Sequence, residues 1–257
     1  MILTIDVNLH YQMLEPTDLL LQIEAADLPD QRVLSTNIEL SPSAHFSRVA
    51  AENEVGERIW LRPEGDFIST YRAKIDVQRQ GADLATLPAV PLHLLPADAV
   101  RYLLPSRYCP TDEFEAFVTS EFDDTTGGAR IMAIADWISR KMHYAPGSST
   151  GQTTAVDSFV QLRGVCRDFA HVLITLARAS AIPARFVSAY SPDVSPQDFH
   201  ALTEVYLEGG WHLVDPTAMA KPESTVRIGV GADAADVAFM TSFAPMQCVA
   251  QSVRVSV

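Results

Sequence analysis

The spacing of apolar residues changes along the chain from the period of a strand to the period of a helix. In the first hundred residues, apolar and polar residues alternate in short runs at 3–9, 19–25, 33–40, 58–62 and 68–77. A period of two places one face of a strand in a core. Because Pro, Gly, Asp and Asn residues separate these runs, the pattern predicts a small antiparallel β-sandwich.

A proline-rich segment follows this strand-rich region. Five prolines lie between residues 87 and 110 of the chain. Repeated prolines cannot continue a helix, and they disfavour a central strand. The segment therefore predicts a connection between a β-rich N-terminal domain over residues 1–104 and a second unit over residues 105–257, whose tail is again strand-rich.

Helical spacing appears beyond this connection. Apolar residues recur on one helical face between residues 129 and 143, and again between residues 166 and 180. Three runs at 186–190, 202–207 and 211–214 then have strand character, and a tight glycine turn joins the last two. The patterns together predict an α+β fold, in which the N-terminal sandwich is followed along the chain by helices packed on an antiparallel sheet.

The charge balance of the chain indicates which classes of partner it can bind. The chain has 19 Lys+Arg and 32 Asp+Glu residues, a net charge of −13, and its basic residues do not cluster. Nucleic acid and anionic membrane surfaces would repel such a chain, so neither is expected as a partner.

The N-terminus does not have the pattern of a signal peptide, which favours a cytoplasmic location. The oligomeric state stays open.

The three cysteines, Cys109, Cys166 and Cys248, are widely spaced and odd in number. They form neither a disulfide framework nor a CxxC zinc pair, and no EF-hand spacing is present, so no metal and no cofactor are expected. Free cysteine is usually buried, and we therefore expect Cys109 and Cys248 to lie in the core.

Cys166 differs from the other two because it opens a predicted helix, directly after Gly164 and Val165. Backbone N–H groups and the helix dipole favour a thiolate at this position, and the thiolate is the nucleophilic form. His200 begins one predicted strand and Asp215 ends the next, so an antiparallel hairpin would place them side by side. Cys, His and Asp in contact form the arrangement used for nucleophilic acyl transfer.

Four stretches carry a resemblance to a known family, at residues 164–171 (GVCRDFAH), 182–187 (IPARFV), 200–207 (HALTEVYL) and 211–217 (WHLVDPT). They resemble the core of the bacterial transglutaminase-like superfamily, over about half the chain. The resemblance implies a papain-like core in which Cys166 is the nucleophile, His200 the general base and acid, and Asp215 the residue that orients the imidazole. The strand-rich first half is similar to the β region that accompanies this core in many bacterial members.

Further groove residues are expected around these three. Leu202 stands where the family usually has tryptophan, which predicts a different wall of the substrate groove. The motifs do not identify the oxyanion donor. The backbone N–H of Cys166 is one candidate, and the side chains of Trp137 and Tyr144 are two others. Structural roles are favoured for Arg167, Asp168, His171 and His212.

These observations predict a cysteine-dependent acyl-transfer enzyme. It would act on amide bonds of peptides or proteins through a thioester, and hydrolysis by a peptidase or amidase is favoured over cross-linking. The alternative is a catalytically weak or idle domain that binds peptides or partner proteins. The identity of the substrate cannot be predicted from these patterns.

Overall fold

The computed structural model describes residues 1–257. The strands are β1 (Ile2–Met13), β2 (Leu19–Leu21), β3 (Gln31–Leu40), β4 (Phe46–Ala50), β5 (Glu57–Leu61), β6 (Gly65–Val77), β7 (His143–Tyr144), β8 (Arg163–Gly164), β9 (Ala184–Tyr190), β10 (His200–Leu207), β11 (Gly210–Val214), β12 (Val226–Gly231), β13 (Met240–Ser242) and β14 (Met246–Ser256). The α-helices are α1 (Ala97–Val100), α2 (Glu115–Glu121), α3 (Gly127–Lys141), α4 (Ala155–Gln161) and α5 (Cys166–Ala179).

Two four-stranded antiparallel sheets build the N-terminal sandwich. Their strand orders are β14-β1-β6-β3 and β13-β2-β5-β4. Alternate residues of β1 and β6 are buried, so each strand directs one face into a shared apolar core. The period of two in the sequence reflects this one-sided burial.

A third antiparallel sheet, in the order β11-β10-β9-β12, forms the base of the other half. Helix α5 packs on β10 and β9, and most of its residues are buried. Helices α2, α3 and α4 contribute further apolar side chains to the same core. The predicted α+β class, with a sandwich and helices packed on an antiparallel sheet, is confirmed.

The last two strands belong to the sandwich. Strand β14 pairs with β1 from Thr4↔Ser256 to Met13↔Met246, and β13 pairs with β2. Without them, β1 and β2 would be open sheet edges. Val253 and Val255 of β14 are buried in the sandwich core. A boundary after residue 104 stays a prediction, but the C-terminal strands that it assigned to the second unit complete the first.

The two halves are joined through the side chain of Gln31. Its Nε2 atom donates to the backbone oxygen of Arg227 over 2.9 Å, and its Oε1 atom accepts from the Arg227 backbone N–H over 2.7 Å. The hydroxyl of Tyr190 donates to the Ile23 carbonyl over 2.6 Å. These buried bonds hold the sandwich beside β9 and β12. None of the helices has both the length and the apolar character needed to span a bilayer.

Candidate active site

Cys166 is the first residue of α5, and a local capping arrangement sets its position. The Asp168 carboxylate is fully buried and accepts a hydrogen bond from the backbone N–H of Val165, the N-cap residue, over 2.8 Å. A Cβ atom on Gly164 would lie 2.5 Å from the Cβ of Asp168. Glycine is therefore required at this position to admit the Asp168 side chain. Cys166 is half-buried at the helix terminus.

His200 and Asp215 meet at one end of the β10–β11 hairpin. The register Thr203↔Val214 places the start of β10 beside the residue that follows β11. His200 Nε2 lies 2.8 Å from Asp215 Oδ2, and both side chains are almost fully buried. The hairpin thus creates the contact that the sequence spacing predicted.

The Asp215 carboxylate is held by a turn as well as by His200. Its Oδ1 atom accepts from the Thr217 backbone N–H over 2.8 Å and from the Thr217 hydroxyl over 2.7 Å. Its Oδ2 atom also accepts from the Ala220 N–H over 2.8 Å. Burial raises the pKa of Asp215, but the hydrogen bonds outweigh burial and hold its pKa below the ordinary value. The carboxylate is therefore charged and fixed in orientation.

The His200 imidazole lies between Asp215 and Cys166. Burial lowers the pKa of His200, but hydrogen bonds and charge interactions with Asp215 and Cys166 outweigh burial and raise the pKa to about 9. Because Nε2 is bonded to Asp215, Nδ1 is the ring nitrogen left for the Cys166 thiol. A protonated imidazole at neutral pH can stabilise a thiolate and later donate a proton.

Tyr144 also reaches Cys166. Strand β7 pairs in parallel with β8, with Tyr144 opposite Gly164, two residues before the cysteine. The Tyr144 hydroxyl lies near Cys166, close enough for the thiol and the backbone N–H to affect the pKa of the phenol. Burial and the neighbouring sulfur raise the pKa of Tyr144 to about 12, so the hydroxyl keeps its proton. Of the two candidate oxyanion side chains, the structure brings Tyr144 to the sulfur.

Trp137 and Leu202 lie elsewhere. Trp137 stacks on Phe159 at 5.3 Å and meets Phe117 edge-on, inside the helical core. Leu202 is buried in a small apolar cluster that also contains Leu213. Neither lines the cavity that contains Cys166. The expectation of groove roles for them does not fit this arrangement. Successive residues of β10 point to opposite faces of the sheet, so Ala201 packs with the helical core and Leu202 packs on the other face.

Two neighbours of Cys166 on α5 have structural contacts. Arg167 donates to the Ser149 hydroxyl over 2.8 Å and to the carbonyl oxygen of Thr150, and it pairs with the buried Asp168. His171 is buried and stacks on Tyr108 at 5.1 Å, and burial lowers its pKa to about 3. The helix therefore anchors the loop that follows β7.

The other two cysteines have different surroundings. Cys109 is fully buried, and burial raises the pKa of its thiol to about 11. Cys248 is exposed on β14, so the expectation that it lies in the core is wrong. Strand β14 is an edge strand, and only alternate residues at its C-terminal end reach the sandwich core.

A cavity of about 470 Å³ opens beside Cys166 and His200. Its lining is mainly apolar and includes Tyr108, Phe186 and Val237. Strands β13 and β14 contribute Thr241 and Gln251, so the sandwich forms part of the wall. Sequence reasoning missed these wall residues, because no local pattern indicates which distant strand borders a cavity. No group of three or more His, Cys, Asp or Glu side chains converges as a metal site.

The comparison with known proteins extends these observations. Residues 114–216 match the family model described as the transglutaminase-like superfamily. The crystal structure of a "Putative Cysteine Protease" from Cytophaga hutchinsonii superposes with a TM-score of 0.92 and 31% identity, covering 100% of this chain and 90% of that chain. The periplasmic domain of TgpA from Pseudomonas aeruginosa, bound to ethylmercury, aligns at 18% identity and a TM-score of 0.45, covering 84% of this chain and 77% of that chain.

A relative is also found among curated sequences. An uncharacterized protein of Mycobacterium leprae is 34% identical over 116 residues. The aligned part makes up 42% of this chain and 42% of that protein, so the chain spans less than half the length of this relative.

Proposed function

The chain belongs to the transglutaminase-like superfamily, and on this basis we propose that it is a cysteine-dependent acyl-transfer enzyme that hydrolyses amide bonds of peptides or proteins. The observation that carries the proposal is the 2.8 Å contact between His200 and Asp215, beside a helix-terminal Cys166 that opens into a cavity. A nucleophile, a base and an orienting carboxylate in contact are the parts that acyl transfer needs.

The first half of the reaction forms the thioester. The Cys166 thiolate attacks the amide carbonyl, and the carbonyl oxygen becomes an oxyanion within reach of the Cys166 N–H and the Tyr144 hydroxyl. The C–N bond then breaks, and the leaving nitrogen takes the proton of the His200 imidazolium. Asp215 holds the ring in orientation and favours its charged form throughout these steps.

The second half releases the acyl group. Neutral His200 takes a proton from a water molecule, and the resulting hydroxide attacks the thioester carbonyl. The C–S bond breaks and regenerates the thiolate beside an imidazolium. A primary amine could replace water and produce a cross-link, but Cys166 is partly exposed, so water has access to the thioester. This exposure favours hydrolysis over transamidation.

We also propose a cytoplasmic location. An exposed free thiol such as that of Cys248 suits a compartment that keeps thiols reduced.

Activity profiling with peptide amides tests the enzyme proposal. Wild type and Cys166→Ala are incubated with a peptide amide library, with and without a primary amine, and products are identified by mass spectrometry. We expect hydrolysed products from the wild type and from Cys248→Ala, the matched control at the exposed thiol, and none from Cys166→Ala. Amine-linked products in place of acids would assign transamidation. Absence of both products would contradict the proposal and favour an idle domain that binds peptides.

A further inference from the structure

An exposed carboxylate at the edge of the cavity beside Cys166 forms no ion pair with a cationic side chain. Asp198 lies two residues before His200 and lines the cavity. Its Oδ1 atom accepts from the Phe199 backbone N–H over 2.8 Å and from Gln251 Nε2 over 2.9 Å. Both donors are neutral, and Oδ2 accepts no hydrogen bond from the chain. One carboxylate oxygen is thus fixed, and the other is left for a ligand.

A short relay from the sandwich orients this carboxylate. The Tyr11 hydroxyl on β1 donates to Gln251 Oε1 on β14 over 2.8 Å. This bond directs the amide nitrogen of Gln251 toward Asp198. A side chain held in this way needs little reorganisation to bind a ligand, which is a property of preorganised sites.

An apolar surface lies next to the carboxylate. The rings of Phe199 and Phe239 stack in parallel with their centroids 4.3 Å apart, and both residues line the cavity. Long cationic side chains place their methylene stems on apolar surfaces and keep the charged group near polar atoms. An apolar wall ending at a carboxylate therefore matches Lys or Arg in both shape and charge.

The two arginines of the cavity lie over one ring, and the imidazolium of His200 is paired with Asp215. The guanidinium carbons of Arg107 and Arg167 lie 4.9 Å and 5.6 Å from the ring centroid of Tyr108. Asp198 instead accepts a hydrogen bond from Gln251 and forms no ion pair with either arginine. The net charge of −13 would also draw cationic peptides toward the protein.

We propose that Asp198 is a specificity-determining residue that binds a Lys or Arg side chain of the peptide substrate, next to the amide that Cys166 attacks. The assignment of the bound group as part of a substrate rests on the proposed function. The existence of a cation-binding subsite at Asp198 is independent of that function, so the subsite and the substrate assignment can be tested separately.

The subsite is tested without turnover by labelling Cys166 with two thiosulfonates of opposite charge. The trimethylammonioethyl and sulfonatoethyl reagents each form a disulfide with the thiolate and release methanesulfinate, and peptide mass spectrometry separates Cys166 from Cys248. Asp198→Asn should lower the cation-to-anion ratio of labelling rates at Cys166 about tenfold. Asp123→Asn removes the same charge from an exposed loop outside the cavity and should leave the ratio nearly unchanged.

The substrate assignment is tested with matched peptides that carry Lys, norleucine or Glu at each position around the amide. We expect wild type to favour Lys over norleucine about tenfold in kcat/KM at one position, and Asp198→Asn to lose most of this preference.

An unchanged labelling ratio in Asp198→Asn would overturn the subsite. Cleavage without a Lys preference that depends on Asp198 would overturn the substrate assignment. A lowered ratio in a protein that cleaves no peptide would support the subsite and contradict the proposed function.

Discussion

His200 Nε2 and Asp215 Oδ2 lie 2.8 Å apart, although 15 residues separate them in the chain. The pair is buried, and interactions with Asp215 and Cys166 raise the pKa of His200 to about 9, against the effect of burial. Asp215→Asn would keep a hydrogen-bonding side chain but remove the charge. We expect kcat/KM to fall about 100-fold or more, and the His200 titration, followed by NMR, to move to lower pH. Asp124→Asn, in an exposed loop, should change neither, and equal losses in both variants would exclude a specific role for Asp215.

The raised pKa of His200 also predicts how stability depends on pH. The folded state keeps the proton up to about pH 9, whereas an unfolded chain loses it near the ordinary value of 6.5. The stabilisation is therefore complete below pH 6.5 and is lost as pH rises through 9. Urea unfolding should show a decline on the order of 1–3 kcal/mol over this range. His200→Asn should lack this decline, while His143→Asn, at an exposed histidine, should retain it.

The three thiols should react at separate rates with iodoacetamide near neutral pH. Cys166, at the helix terminus beside His200, should be alkylated before the exposed Cys248. Cys109 should stay unmodified until the protein unfolds, because it is fully buried and its pKa is raised to about 11. Peptide mass spectrometry over time gives the three rates. Faster labelling of Cys248 than of Cys166 would contradict the expectation that Cys166 forms an activated thiolate.

Tyr144→Phe would remove the hydroxyl that lies near Cys166, while keeping the ring whose centroid lies 6.0 Å from that of Phe169. If the hydroxyl stabilises the oxyanion, kcat should fall about 10- to 100-fold with little change in KM. Steady-state kinetics, combined with thermal unfolding, separate this role from a structural one. Tyr206→Phe, at the far end of β10, serves as the matched control.

Gly164→Ala should destabilise the fold, since the new methyl group would lie 2.5 Å from the Cβ of Asp168. We expect a loss of about 1–3 kcal/mol in the free energy of unfolding, measured with urea. Gly151→Ala meets no atom within 4 Å and should unfold like the wild type. Equal unfolding midpoints for both variants would show that the Asp168 side chain can move away from the new methyl group without lowering the free energy of unfolding.

Local sequence patterns were sufficient to predict much of the fold and much of the candidate site. Alternation predicted most of the sandwich strands, but not β4 or β13. Helical spacing predicted α3 and α5, and the hairpin predicted that His200 would meet Asp215. Each of these depends on neighbours along the chain or on one tight turn. Short-range hydrogen bonding and one-sided burial leave their period directly in the sequence.

Only the tertiary structure decided which of the remaining candidates approach Cys166. Tyr144 reaches it because β7 pairs with β8, while Trp137 is drawn into an aromatic cluster. Strands β13 and β14, near the C-terminus, pair with β2 and β1 near the N-terminus. This pairing places residues of β13 and β14 in the cavity wall. The sequence by itself determined the longer helices, most of the longer strands and the positions of Cys166, His200 and Asp215 within them, since these follow from local spacing. The cavity around them depends on pairing between distant segments, which local spacing does not encode.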